Sequence, residues 1–221
     1  MWDSATVMML VKETGTTLYM TLTSTILAYV IGLPMGVCLV ITAKDGLRPI
    51  AVVYKILDVV ANVVRSIPFL ILLMLLIPFT RFVVGKSYGA TATIVPLTIA
   101  AAPFIARLVE SSLLEVDKGV IEAVQSMGAG IGTIVWKVLL AEARTSLIVG
   151  ATIALGTILG YSAMAGAVGG GGLGDVAIRY GYYRYQADIM IVTVVLLVIL
   201  VQILQIIGTK LSKKLDKRIT G

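Results

Sequence analysis

The chain of 221 residues contains no histidine, so it lacks the commonest metal ligand and the usual charge switch near neutral pH. Metal chemistry is not expected. A single cysteine, Cys38, stands inside an apolar stretch and leaves no disulfide to form. Charge is scarce too: 14% of residues are Asp, Glu, Lys or Arg, against 58% hydrophobic. With a mean hydropathy of +1.01 this excludes a soluble domain and implies a polytopic membrane protein. Residues 1–12 carry Asp3 and a short apolar run without a positive leader, so a cleaved signal peptide is not indicated.

What the chain does have is long apolar runs. A crossing needs about 20 mainly apolar residues. Five segments approach that, at 18–41, 56–79, 90–108, 147–168 and 189–207, and a sixth is not found. Gly32, Pro34 and Gly36 predict a kink in the first. Thr16, Thr17, Thr21, Thr23 and Thr25 read as helix-to-helix hydrogen bonding.

Lys and Arg in the loops decide orientation. With the C-terminus in the cytoplasm, twelve fall inside: Lys44, Arg48, Lys55, Arg107, Lys118, Lys137, Arg144, Lys210, Lys213, Lys214, Lys217 and Arg218. Five fall outside, Lys12, Arg81, Lys86, Arg179 and Arg184, and Arg65 lies within the second segment. The chain then reads as an external N-terminal segment (1–13), a membrane domain (14–208) and a basic cytoplasmic tail (209–221). The tail suits anionic lipid head groups better than nucleic acid, at about 1 kcal/mol per charge.

The polar loop 111–146 faces the cytoplasm in this arrangement. Asp117 can cap a helix that puts Val120, Ile121, Val124 and Met127 on one face and Lys118, Glu122, Gln125 and Ser126 on the other. Gly128 ends it, and Ile134, Val135, Val138 and Leu139 predict a second helical piece before Arg144. An amphipathic helix held out of the bilayer is a handle for another protein.

Inside the spans, Asp58, Asn62 and Arg65 recur at helical spacing, and an Arg at the bilayer centre costs roughly 2.5 to 3.5 kcal/mol. Either this face turns inward or toward the cytoplasmic rim, or the span starts after Arg65 with Asp58 pairing it at the interface. In the fourth segment Gly150, Ala154, Gly156 and Gly160 supply small faces for close packing. Tyr161, Ser162 and Met164 follow, and in a symmetric dimer they can line or gate a path, Met being flexible and apolar; ordinary packing is the alternative. Gly169 to Gly172 read as a mobile hinge in an outward loop, and Tyr180, Tyr182, Tyr183 and Tyr185 as an interfacial belt.

Three motifs point elsewhere and are set aside. Gly169, Gly171 and Gly174 satisfy G-x-G-x-x-G, but no strand precedes them. Gly85-Lys86-Ser87 lacks the first glycine of a phosphate-binding loop, Thr80 standing in its place, so the chain has no ATP site of its own and the energy must come from a partner. Gly172-Leu173-Gly174-Asp175 matches the G-x-G-D of intramembrane aspartyl proteases, whose chemistry needs a second carboxylate close by. Asp58 and Asp188 are the other aspartates near a span, and the Tyr-Asp dipeptide of the partner helix is missing. A channel or secondary transporter is the remaining rival, but five spans without internal similarity cannot form two inverted halves.

Glu122, Ala123, Gly128, Val138 and Leu140 occupy the places of the pattern E-A-A-x3-G-x9-I-x-L-P, with Val124 for the second Ala and Ala141 for the Pro. In this the chain resembles the permease subunits of ATP-binding-cassette (ABC) importers. Arg65-Ser66-Ile67-Pro68-Phe69, Ile77-Pro78-Phe79-Thr80, Ala102-Pro103-Phe104-Ile105-Ala106-Arg107 and Gly160-Tyr161-Ser162-Ala163-Met164 are similar to the methionine-type members, over nearly the whole chain. The resemblance implies an all-α membrane protein of five transmembrane helices with a cytoplasmic coupling-helix loop, the ABC type-1 importer fold, in the bacterial inner membrane. It implies that Glu122, Ala123 and Gly128 lie in or beside a contact with an ATPase subunit. ATP and magnesium are then on that ATPase, with no cofactor in this chain. The implied partners are a second permease copy, two ATPase subunits and an extracytoplasmic methionine-binding lipoprotein, working by alternating access.

Overall fold

The computed structural model describes residues 3–215, which are almost entirely helical, with no strand among them. Lys217 and Arg218 of the basic tail lie outside the described residues. Four helices are long and apolar enough to cross a bilayer: α1 (Ser4–Thr42), α5 (Ala90–Leu114), α9 (Arg144–Ala165, continued as a 3-10 turn to Val168) and α11 (Ala187–Leu215). A fifth span arises when α2 (Ala51–Ser66) and α3 (Phe69–Leu75) are taken as one broken crossing.

The helix at the N-terminus is longer than the run 18–41 suggests, because polar residues before Leu18 are compatible with helix once a cap is supplied. Asp3 supplies it: the Thr6 N–H donates to Asp3 Oδ1 at 2.8 Å. That backbone hydrogen bond holds the Asp3 carboxyl below its ordinary value.

The predicted span 56–79 is not one helix. Proline disfavours helical backbone at the residue before it, so Pro68 ends α2 near Ser66 and takes up an extended ψ of 133°. Ser66 Oγ donates to Asn62 O at 2.7 Å. A second break at Leu76 starts α4 (Ile77–Val84), with Pro78 in its first turn, where a missing N–H costs little.

The chain forms two compact units. The first comprises Met1–Ala28, Ile67–Ala101 and Ala154–Gln205. Its core contains Met20, Leu97, Ile158, Leu159 and Leu173, all essentially inaccessible. The second comprises Tyr29–Ser66, Ala102–Ile153 and Ile206–Gly221 and buries Leu39, Ile105, Val109, Leu113, Ile134 and Leu139. Lys12, Arg81, Lys86, Arg179 and Arg184 all belong to the first unit, and every other described Lys and Arg to the second.

Within the second unit, Gly32 and Gly36 serve a close helix contact. The helix runs unbroken through Pro34. A Cβ on Gly32 would stand 2.6 Å from Ala102 O, and one on Gly36 2.6 Å from Ala106 O. The two glycines, one turn apart, let the α1 backbone lie directly on α5. The threonines meet the expectation only in part: Thr16, Thr17 and Thr25 donate to Lys12, Glu13 and Thr21 carbonyls of their own helix, while Thr17 also accepts from the Leu173 N–H of another helix. A carbonyl one turn back lies within reach of a helical hydroxyl and competes with a neighbouring helix for its proton.

Exposure separates the long helices. In the most apolar window of α5, 72% of residues are buried, against 11% in α11. Between Ile191 and Ile199 the side chains α11 exposes, Ile191, Val194, Val195, Val198 and Ile199, are all aliphatic, as lipid contact requires, and the exposed polar ones, such as Gln202, Gln205 and Lys210, come later.

Candidate coupling loop and path

The loop that follows α5 belongs to the second unit and is built as its sequence suggests. Asp117, in extended backbone, accepts from the Gly119 N–H at 2.7 Å and the Val120 N–H at 3.4 Å, opening α6 (Lys118–Ser126). Gly128, at φ +80°, ends it in the left-handed region that an L side chain resists. Beyond the turn, α7 (Ile131–Ile134), a wide π turn (Val135–Leu139) and α8 (Leu140–Glu142) run on as one helical piece. Ile134, Val135, Val138 and Leu139 are buried, anchoring this piece to the body of the unit. Ala141, where the family pattern has Pro, sits inside helical backbone.

α6 itself buries nothing. Glu122 and Ala123 are exposed on it, and so are apolar Val120 and the 85%-exposed Met127, with Trp136 71% exposed on the following piece. Glu122 and Gln125 also border a recess of about 450 Å³ together with Lys44, Asp45 and Tyr54. The two ends of the loop are tied: Ser146 Oγ lies 3.0 Å from Ser112 Oγ and 3.1 Å from Glu115 Oε1. These contacts join the end of α5 to the first turn of α9.

The polar face of α2 is resolved in the same unit. Arg107 of α5 pairs with Asp58, and it donates to Asn62 Oδ1 at 3.0 Å and to Glu110 Oε2 at 2.7 Å. Asn62 Nδ2 in turn donates to Asp58 Oδ1 at 3.2 Å. The third residue of that face, Arg65, is apart: its guanidinium lies 6.0 Å from the Phe104 ring centroid. The alternative in which Asp58 pairs with Arg65 is replaced by pairing with Arg107, because α5 brings a guanidinium to Asp58 from another helix.

In the first unit, Tyr161, Ser162 and Met164 have three environments. Tyr161 stacks on Phe69 with centroids 4.5 Å apart and planes at 5°. Ser162 is 1% exposed and donates to Leu159 O at 2.7 Å. Met164 is 54% exposed and shares the open side of α9 with Gly160. Of the three, Met164 is the side chain presented outward.

The glycine run after α9 is a packed corner, not a mobile hinge. Gly169, Gly171 and Gly172 have positive φ, and α10 (Gly172–Val176) starts within the run. The Gly89 N–H donates to Gly169 O at 2.9 Å, and a Cβ on Gly170 would lie 2.8 Å from both Ala165 O and Thr93 Oγ1. At Gly170 and Gly172 the neighbours leave no room for a side chain, whereas Gly169 and Gly171 have room for one but stand at positive φ. Asp175 of the G-x-G-D motif is ion-paired with Arg179, not with a second carboxyl group.

A family model described as "Binding-protein-dependent transport system inner membrane component" matches residues 28–221. The chain belongs to this family. It is thus the inner-membrane, translocating component of a transport system of this family. Among relatives, the chain is 50% identical over 217 residues to the "Probable D-methionine transport system permease protein MetI" of Vibrio cholerae, covering 98% of this chain and 96% of that protein. It is 48% identical over 180 residues to the "Methionine import system permease protein MetP" of Bacillus subtilis, covering 81% of each. Among solved structures, "Inward facing conformations of the MetNI methionine ABC transporter" contains a chain that superposes with a TM-score of 0.96 at 48% identity, over 98% of this chain and 100% of that one. The all-α ABC importer permease fold is thereby established for this family member.

Two residues of the assembled sites lie outside the sequence-based expectations. Arg107 was counted among the loop cations, and its i,i+3 spacing to Glu110 was the available hint that it sits on a helix. Glu13, whose carboxylate meets the Gly172 N–H, had no local signal, since its partner is 159 residues away.

Proposed function

We propose that the chain is the membrane-spanning permease subunit of an ATP-driven methionine importer. Two copies form the translocation path, and two ATPase subunits holding ATP and magnesium dock on the loops around Glu122, Ala123 and Gly128. An extracytoplasmic methionine-binding lipoprotein delivers solute to the outer face. The observation that carries this reading is α6, a capped amphipathic helix with Val120 and Met127 bared and no residue of its own buried. An apolar face of which Ile121 and Val124 are part-covered while Val120 and Met127 stay bare is suited to another polypeptide. The names of the relatives support methionine as solute.

The segregation of cations supports an orientation with the N-terminus outside and the C-terminus cytoplasmic, the second unit carrying all but five of the described ones. The tail then rests on anionic lipid. ATP binding draws the ATPases together, and α6 carries that motion through its tied ends to α5 and α9. The candidate path residue Met164, with Tyr161 and Ser162 behind it, opens outward and closes again on hydrolysis. No step needs a nucleotide site in this chain.

The test is uptake in vesicles. Permease reconstituted with the ATPase and the binding protein is expected to accumulate methionine only with internal ATP, and Met164→Ala is expected to change leak or uptake per ATP. Accumulation by the permease alone would sink the reading. So would labelling of a cysteine at position 122 from the outside, measured after the exposed Cys38 is changed to Ser.

A further inference from the structure

The corner that follows the candidate path residues is gripped by two side chains of α1 within the first unit. The Gly172 N–H donates to Glu13 Oε2 at 2.8 Å, and the Leu173 N–H donates to Thr17 Oγ1 at 2.8 Å. The one hydroxyl proton of Thr17 is given to Glu13 O at 3.0 Å, so its oxygen is left to accept from Leu173. Glu13 and Thr17 are one helical turn apart and therefore meet consecutive amides. Thr17 is 1% exposed and Leu173 not at all, so water does not replace this bond. The approach is as close as atoms allow: a Cβ on Gly172 would stand 2.6 Å from Thr17 Oγ1 and 2.9 Å from Met20 Cε.

The contact continues to α9. A Cβ on Gly174 would fall 2.1 Å from Ala163 O, and one on Gly166 2.3 Å from Asp175 N. Ala163 is the residue between Ser162 and Met164. Backbone therefore rests on backbone from the two gripped amides to the segment that presents Met164.

We infer that Glu13 and Thr17 are positioning residues of the transport path, holding α10 against the end of α9 and so setting where Met164 stands. The inference rests on the reading of α9 as the path. A carboxylate near the head of an apolar helix is costly unless fixed donors meet it, and the bare glycine amides provide one. The outer part of α1 and the α10 corner then move as one piece whenever the path changes state.

The test uses the whole transporter in vesicles, with two readouts: uptake per ATP hydrolysed, and amide exchange at Gly172 and Leu173. Glu13→Ala removes a charged acceptor and is expected to lower uptake per ATP about tenfold, and Thr17→Val removes a neutral one and is expected to lower it about fivefold, the scales of one lost charge-assisted and one lost neutral hydrogen bond. Both should speed exchange at the freed amide. Glu13→Gln and Thr17→Ser keep an acceptor oxygen and are expected to restore most of both. If all four variants lose thermal stability alike while uptake per ATP stays at the unaltered value, the residues are merely structural and the inference is overturned. Unchanged exchange in Glu13→Ala overturns it as well. Failure of the unaltered assembly to couple hydrolysis to uptake would refute the transport reading and with it the role on the path, whereas the exchange readout judges the grip separately.

Discussion

Removing the cap of the exposed helix is the sharpest perturbation available, because α6 has so little else to hold it. It has nine residues and buries none of them. Isolated helices shorter than about 12 residues are marginal in water, so tertiary packing or capping must make up the difference. Packing is slight, with Ile121 and Val124 only part-covered, and the cap rests on Asp117. Its bond from Gly119 at 2.7 Å is full strength, while that from Val120 at 3.4 Å is at the edge of useful geometry. One effective bond makes Asp117→Ala cost about 1 kcal/mol, which is about a fivefold shift in the local helix equilibrium. The assay is hydrogen exchange on the purified chain without its partners. Amides of residues 120–126 are expected to exchange about fivefold faster, while those of 134–139 stay slow because Ile134, Val135, Val138 and Leu139 are buried. Asp117→Asn keeps the acceptor and should recover most of the protection. Unchanged exchange in α6, or equal acceleration in both pieces, would refute the argument that the cap is a main support of this helix.

Other perturbations test other links. At Gly128, φ is +80° and nothing lies within 4 Å of an added Cβ, so Gly128→Val adds backbone strain of about 1–2 kcal/mol without a clash. Its expected result is hydrolysis that continues while uptake falls, read as the ratio of the two rates. Asp58→Ala and Arg107→Ala, combined in a double-mutant cycle, should show a coupling of about 1 kcal/mol or less by thermal unfolding, since the side chains are 32% and 19% exposed. A coupling of zero would dismiss the pair as a structural contact. Gly36→Val forces atoms into Ala106 and Val109 and is expected to lower the unfolding temperature at an overpacking cost of about 1–3 kcal/mol. Gly15→Ala, in open space on the same helix, should not.

The features readable from the residues alone were those whose causes are local. Asp117 capping a helix and Gly128 ending it each depend on amides or dihedrals within a few positions, so neighbouring letters carry the information. The apolar runs that become α1, α5, α9 and α11 were equally plain, because burying a backbone in lipid demands a long uninterrupted helix. Local breakers were harder to weigh. Pro68 does split a predicted span, yet Pro34 does not break α1, since a proline costs one hydrogen bond whose loss surrounding contacts can absorb.

Tertiary structure alone decided what the polar and small residues are for. Asp58 meets Arg107 across 49 positions and Glu13 meets Gly172 across 159, and no periodicity encodes which of several charges or amides the fold will bring within 3 Å. Glycine was the most ambiguous letter. Gly32 and Gly36 serve as a contact face, which no local pattern announced, and Gly169 to Gly172, which suggested mobility, form a braced corner. A missing side chain permits both freedom and close approach, and which one is realised depends on whether another backbone occupies the vacated space.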